Sequence, residues 1–329
     1  MAYKPRTVKP DDDGQRLERW LKKYATGLSY GQAQKAIRKG EIRINGKRCK
    51  PADTLNEGDE VRLPPYAYED GKVRAEKGQA YLSPADQKLI QSMVIYKDEH
   101  IIALNKPAGL AVQGGSGVKK HIDGLLPALR KNEDEPLPKL VHRLDKETSG
   151  VLVLGRTAEA TRHLMAQFKG RDVRKIYLAL TMPAPSRTEG EMRGALIKAG
   201  HSDFERVVVD DEQGKSARTL FHVLDRAGKA AALVAFWPLS GRTHQIRVHA
   251  AEILECPLVG DYKYGFDPET VEELDFKPQL ALHAYALSLP KPNGGVWQFH
   301  APVPRHFEDM AENFGLNCAD ITDPFGKKP

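Results

Sequence analysis

Near the start of the chain, apolar residues recur at helical spacing. Leu17, Trp20, Leu21 and Tyr24 fall on one face of a helix, with Asp13 placed to cap its start. Tyr30, Ala33, Ala36 and Ile37 repeat the pattern, with Ser29 as N-cap and Gly40 as the stop. The period then changes. Ile42 and Ile44 alternate as in a strand, and Asn45-Gly46 is the dipeptide of a tight hairpin. Asp53 to Leu63 returns as a further short strand, past a turn at Glu57-Gly58-Asp59, and Pro64-Pro65 closes the unit. Residues 7–63 therefore predict a small α/β domain of two short helices and a hairpin.

Residues 64–90 are polar, charged and poor in large aliphatics, which predicts a linker. A larger body is expected over residues 91–310. Short apolar runs at Val94–Tyr96, Ile101–Leu104, Val151–Leu154, Ile176–Leu180, Ala232–Phe236 and Leu280–Leu289 have the length and content of buried strands. One helix is expected from Ala158 to Phe168. Strands outnumber helices and do not alternate with them, so the fold class is α+β, built on a mixed or antiparallel sheet. Residues 311–329 are expected to be a tail, and no internal repeat is visible.

Length agrees with two domains in 329 residues. With 40% hydrophobic and 29% charged residues, the chain has the profile of a soluble folded protein. It contains no run of about 20 apolar residues of the kind that spans a bilayer. The first residues carry Asp11, Asp12 and Asp13 and lack the apolar core of a secretory signal. Cys49, Cys256 and Cys318 are scattered, which excludes a disulfide framework and a cysteine zinc site and makes the cytoplasm the expected location. The net charge is +6, and residues 1–65 hold 15 Lys and Arg against 9 Asp and Glu. Arg38, Lys39, Arg43, Lys47 and Arg48 bunch around the second helix and the hairpin. That is a footing for a polyanion backbone, or more blandly a solvated basic face.

Candidate chemistry concentrates in four segments. Val141 to Gly150 (Val-His-Arg-Leu-Asp-Lys-Glu-Thr-Ser-Gly) joins a charged loop to an apolar strand, a place where a rigid sheet can aim polar groups into a cleft. In an extended segment Arg143 and Asp145 share a face, and an arginine beside an aspartate keeps the acid ionised, as a nucleophile requires. The competing reading is a surface ion pair. Gly241 to His249 (Gly-Arg-Thr-His-Gln-Ile-Arg-Val-His) is dense in donors that suit phosphate or carboxylate. Ile246 and Val248 alternate with Gln245, Arg247 and His249, as in a strand with one packed face. His244 and His249 lack an acidic third ligand and a metal-site spacing, so no metal is expected. Arg174 to Ala179 contains Tyr177, which either packs in the core or stacks on an extruded base. Leu280 to Leu287 is mostly apolar and is expected to form wall.

Taken in order, H-R-L-D-x-x-T-S-G, R-K-x-Y, G-R-T-H-Q-I-R-V-H and L-x-L-H-A resemble the RluA family of pseudouridine synthases, over residues 90–305. The N-terminal unit resembles the S4 RNA-binding domain, a common partner in that family. Residues 104–117 look most like the branch that modifies large-subunit (23S) ribosomal RNA, the RluC type. The resemblance implies that residues 91–310 isomerise uridine to pseudouridine in RNA without a cofactor. It further implies Asp145 as nucleophile, Arg247 paired with the Asp145 carboxylate, and Tyr177 stacked on the target uracil. Arg143 would hold the flipped nucleotide, with His142, Thr243 and Gln245 in support. The expected partner is RNA, with no membrane and no obligatory protein partner, the protein acting as a monomer. Three other readings stand beside this one: the same chemistry on transfer RNA, a non-catalytic RNA-binding ribosome-assembly factor, and a hydrolase releasing free uracil.

Overall fold

The computed structural model describes residues 5–67, 82–115, 118–132, 134–170, 173–200, 206–271, 278–319 and 321–326. The N-terminal unit runs β1 (Arg6–Thr7), α1 (Leu17–Tyr24), α2 (Tyr30–Lys39), β2 (Arg43–Ile44), β3 (Lys47–Arg48) and β4 (Glu60–Arg62). The strands form a sheet in the order β1-β4-β2-β3. Trp20, Leu17, Ile42 and Leu55 are wholly buried between helices and sheet. Ser29 caps α2 in a reciprocal box: its hydroxyl accepts from the Gln32 amide, and its own amide donates to Gln32 Oε1 at 2.8 Å. Gly40 ends α2 at φ 73, the left-handed conformation that glycine takes without strain. Asp13 does not cap α1. Its carboxylate accepts instead from the Glu57 amide at 2.9 Å, and Arg16 occupies the cap position.

The expected linker is partly structured. α3 (Pro84–Ser92) is capped by Ser83, whose hydroxyl accepts from the Asp86 amide at 3.1 Å. Ile90 anchors it, fully buried, with Met93 just beyond. One apolar anchor on a charged helix gives too weak a periodic signal to be read. The remainder of that segment, residues 68–81, lies outside the described residues.

The body is a mixed sheet of eleven strands. In chain order they are β5 (Val94–Lys97), β6 (Ile101–Lys106), β7 (Lys139–Leu140), β8 (Ser149–Gly155), β9 (Arg174–Thr181), β10 (Glu189–Ala199), β11 (Arg206–Val209), β12 (Lys215–Ala227), β13 (Ala231–Pro238), β14 (Leu282–Pro290) and β15 (Val296–His300). The helices are α4 (Ile122–Leu125), α5 (Ala158–Gly170), α6 (Gln245–Val248) and α7 (Arg305–Asn313). The sheet order is β11-β10-β12-β13-β9-β14-β8-β6-β5, with β15 on β14 and β7 on β8. Neighbouring strands are antiparallel except β14 and β8, which run parallel over two residue pairs, His283 with Ser149 and Ala284 with Gly150. The α+β class expected from the strand count is thus present. Every residue of β8 and β13 is buried, as their unbroken apolar runs require.

The C-terminal residues are not a loose tail. α7 crosses the expected boundary at 310 and buries Phe307, Met310 and Ala311. Beyond it, Arg174 Nε donates to Asp323 at 2.6 Å and Phe325 packs on Trp237 at 5.7 Å. Among the described residues no helix is long and apolar enough to cross a membrane.

Candidate active site

Three elements meet beside the β9–β14–β8 junction: the turn entering β8, the middle of β9, and α6 after β13. They enclose a cleft of about 390 Å³ whose lining includes Arg143, Asp145, Tyr177, Thr243, His244 and Arg247. Asp145 sits half-buried in the turn, its carbonyl accepting from the Thr148 amide at 3.2 Å. Beneath that turn lies Lys106, at the end of β6 and wholly buried. Its ammonium donates to the carbonyls of Pro107 and Leu110 at 2.8 Å and of Lys146 at 3.0 Å. Burial lowers its pKa to about 8, against the opposing charges of Glu147 and Asp145. A cation therefore clamps the Asp145 turn from below. Reading the sequence by motif missed Lys106, although a lysine closing an apolar run just before Pro107 was a visible signal.

The Gly241–His249 segment is not a strand. His244, at φ 53, is the cap residue ahead of α6, which continues as a π-helical turn over His249–Ile253. All four α6 residues are buried. Alternation over five positions cannot separate period 2 from period 3.6, so the pattern misled. This geometry also redirects Arg247. Its guanidinium forms a two-pronged ion pair with Asp261, at 2.7 and 2.6 Å, rather than with Asp145. Asp261 is 1% exposed, and a buried carboxylate demands such a partner. Burial alone would lower the Arg247 pKa, but the bonds and charge of Asp261 outweigh it, and Asp145 adds to the same side. Arg247 thus reaches Asp145 through its field, not by contact.

The direct neighbour of the Asp145 carboxylate is His244, with Nε2 3.7 Å from Oδ2. His244 Nδ1 lies 2.6 Å from the Tyr264 hydroxyl. Gln245 is turned inward. Its Oε1 accepts from the Ser240 hydroxyl and the Arg242 amide, while Nε2 donates to the Arg218 carbonyl and Thr219 Oγ1. With those groups used, Gln245 builds the loop and has no donor left for a substrate, contrary to the expectation.

Tyr177 faces the cleft from β9 between two apolar clusters. Burial raises its phenol pKa, and the Asp145 charge adds to this, so the hydroxyl keeps its proton. His142 lies below the surface of the cleft. Its Nε2 accepts from the Val153 amide at 2.9 Å, its ring stacks on Phe168 at 4.2 Å, and burial lowers its pKa to about 3. It is a neutral support for the wall. Arg143 and Thr243 stand exposed at the rim, and Arg143 makes no ion pair with Asp145. An adjoining hollow of about 280 Å³ is lined by Lys169, Lys175 and Arg242. On the N-terminal unit, Arg38, Lys39, Lys47 and Arg48 are exposed. Arg43 is half-buried and ties the hairpin to α2, donating to the carbonyls of Gly40 and Gly46 at 3.1 and 3.0 Å.

A family model described as RNA pseudouridylate synthase matches residues 100–252, and one described as S4 domain matches residues 15–61. Ribosomal large subunit pseudouridine synthase C of Salmonella typhi is 36% identical over 311 residues, covering 93% of this chain and 94% of that one. The protein of the same name from Escherichia coli strain K12 is 37% identical over 302 residues, covering 90% and 92%. Among solved structures, human RNA pseudouridylate synthase domain containing 4 superposes with a TM-score of 0.61 at 27% identity, over 70% of this chain and 96% of that one. With relatives of that identity over nearly its whole length, the chain belongs to the RNA pseudouridylate synthase family and carries an S4 domain ahead of its catalytic sheet.

Proposed function

We propose that this protein converts uridines of large-subunit (23S) ribosomal RNA to pseudouridine, acting as a monomer, with Asp145 as the nucleophile. The observation that carries this reading is the placing of Asp145 in a cleft between a neutral phenol, Tyr177, and a field of fixed cations. The names of its relatives support the choice of RNA.

Isomerisation breaks the N-glycosidic bond, turns the uracil and rejoins it through C5. A stacked uridine cannot reach a carboxylate in a cleft, so it must be extruded at a cost of a few kcal/mol. Stacking on Tyr177 offsets part of that cost, and Arg143 and Thr243 at the rim are placed to hold the extruded nucleotide. The ionised Asp145 then stabilises charge at the sugar, as glycosidase carboxylates do. Attack at C1′, addition at C6 and removal of the C2′ proton make the same demand on Asp145: ionised and held still. Lys106 holds the turn still through the Lys146 carbonyl, and Arg247, locked on Asp261, presents a fixed positive charge to the cleft. Lys169, Lys175 and Arg242 in the adjoining hollow suit the phosphates that flank the extruded nucleotide.

Forming the C5 bond expels the hydrogen at C5. Large-subunit RNA carrying tritium at uridine C5 should therefore release label to water with the purified protein. Asp145→Asn should bind the RNA as tightly and release none. Label appearing as free uracil would mean hydrolysis, and label release by Asp145→Asn would remove Asp145 from its role.

A further inference from the structure

A chain of polar groups runs from the core to Asp145, and the reaction described above leaves it unused. Tyr264 is fully buried, and its hydroxyl oxygen accepts from the Val207 amide at 3.1 Å. The phenolic hydrogen is left for the other neighbour, His244 Nδ1, 2.6 Å away. A neutral imidazole whose Nδ1 accepts carries its own hydrogen on Nε2. That nitrogen faces Asp145 Oδ2 at 3.7 Å, one small closure short of a hydrogen bond. His244 holds this pose on a left-handed backbone, φ 53 and ψ 20, which non-glycine residues adopt rarely and which clusters at functional sites. The frame around it is fixed. Arg247 lies 4.9 Å over the Tyr264 ring while paired to Asp261, and Arg206 lies 5.0 Å over the same ring.

We propose that His244 is a positioning residue: locked by Tyr264 as its Nε2–H tautomer, it offers one carboxylate oxygen of Asp145 a neutral donor and fixes the carboxylate plane, leaving the other oxygen for the reacting carbon. The inference rests on the assignment of Asp145 as nucleophile. The neutrality of the donor matters, because an imidazolium would pair with the carboxylate and blunt its attack. Burial, the largest influence, holds the His244 pKa below its usual value. The charges of Arg247 and Lys263 act in the same direction, while Asp145 and Asp261 oppose them.

The test measures kcat and KM by tritium release between pH 5.5 and 8.5, with folding checked by melting temperature. His244→Ala should lose at least about tenfold in kcat with KM within about twofold, the range that positioning effects span. His244→Gln places an amide N–H toward the same oxygen and should recover most of the loss. Tyr264→Phe leaves Nδ1 free to take a proton, so kcat should gain an acid limb below pH 7 that the parent enzyme lacks. Parental kcat in His244→Ala overturns the proposal. So does His244→Gln as impaired as His244→Ala at the parental melting temperature, or an unchanged pH profile in a folded Tyr264→Phe. Asp145→Asn is run in parallel. Turnover there removes the nucleophile reading and this proposal together, whereas its inactivity beside a fully active His244→Ala overturns the proposal alone.

Discussion

At the scale of single residues, the site rests on buried polar groups such as Lys106, Gln245 and Arg247 that are held by close partners. The Lys106 ammonium is tolerated in the core because three carbonyls surround it, one of them from the turn that carries Asp145. Lys106→Met keeps the bulk and removes the donors. Each part-buried acceptor left without its donor costs about 1–3 kcal/mol, offset in part because the buried ammonium is removed as well, so urea unfolding should show a net loss of about 2–5 kcal/mol, with kcat falling as the turn relaxes. An unchanged midpoint would contradict that reading of the clamp. His249 and His283 are also wholly buried, each with its pKa pulled down to about 4 by burial. Unfolding returns them to about 6.5, so between pH 6.5 and 4 the unfolded chain binds more protons than the folded one. Stability is expected to fall as the pH is lowered through that window, by about 1.4 kcal/mol per pH unit for each histidine. Urea midpoints at pH 7, 5.5 and 4.5 check this, and a His283→Gln variant should show a flatter slope. Asp145 was legible in the sequence because a charged loop delivers it to an apolar strand. The partner of Arg247 was not, because Asp261 lies 14 residues away and only the helical turn of α6 brings the two together.

At the scale of elements, local signals fared well where side chain and backbone agree. Ser29 with Gln32, Gly40, and Asn45-Gly46 mark the ends of α2 and the turn of the β2–β3 hairpin through local bonds and conformations. The long runs of β8 and β13 showed themselves for a similar reason, since burial on both faces leaves no polar interruption. α6 failed because four residues span one turn, and the burial of Gln245 and Arg247 is made possible by partners distant in sequence. β10 and β12 were missed because polar residues interrupt their alternation, as at Glu191 and Arg218, which pair across the strands. The parallel β8–β14 contact depends on Gly150, at φ +109, where a Cβ would drive into the Ala284 carbonyl. Gly150→Ala is expected to cost about 2–4 kcal/mol of stability and to reduce turnover, because the Asp145 turn enters β8 just before it. A melting temperature within a degree of the parent would contradict this.

At the scale of the whole molecule, the strands form two separate sheets, a small one of β1 to β4 and a large one of β5 to β15, and the change in period and the charge of residues 1–65 set the first apart in the sequence. The two are joined by an Arg19–Asp123 ion pair at 3.1 Å and by the Lys139 ammonium donating to the Asp13 carbonyl at 2.7 Å. Such contacts between distant residues have no local signature. The exposed Arg38, Lys39, Lys47 and Arg48 belong to this scale. Replacing all four by alanine should raise KM for a long RNA and leave kcat near the parental value. It should also flatten the dependence of log affinity on log salt by about 0.7–0.9 per lost phosphate contact. In the proposed function, Asp145 isomerises uridines of large-subunit ribosomal RNA. The most direct test is pseudouridine mapping by carbodiimide treatment and reverse-transcription stops, in cells lacking the gene and supplied with either the parental protein or Asp145→Asn. Stops are expected to be absent at a few large-subunit positions in the deletion, to return with the parental protein, and to stay absent with Asp145→Asn. Unchanged large-subunit stops in the deletion, or stops restored by Asp145→Asn, would contradict it.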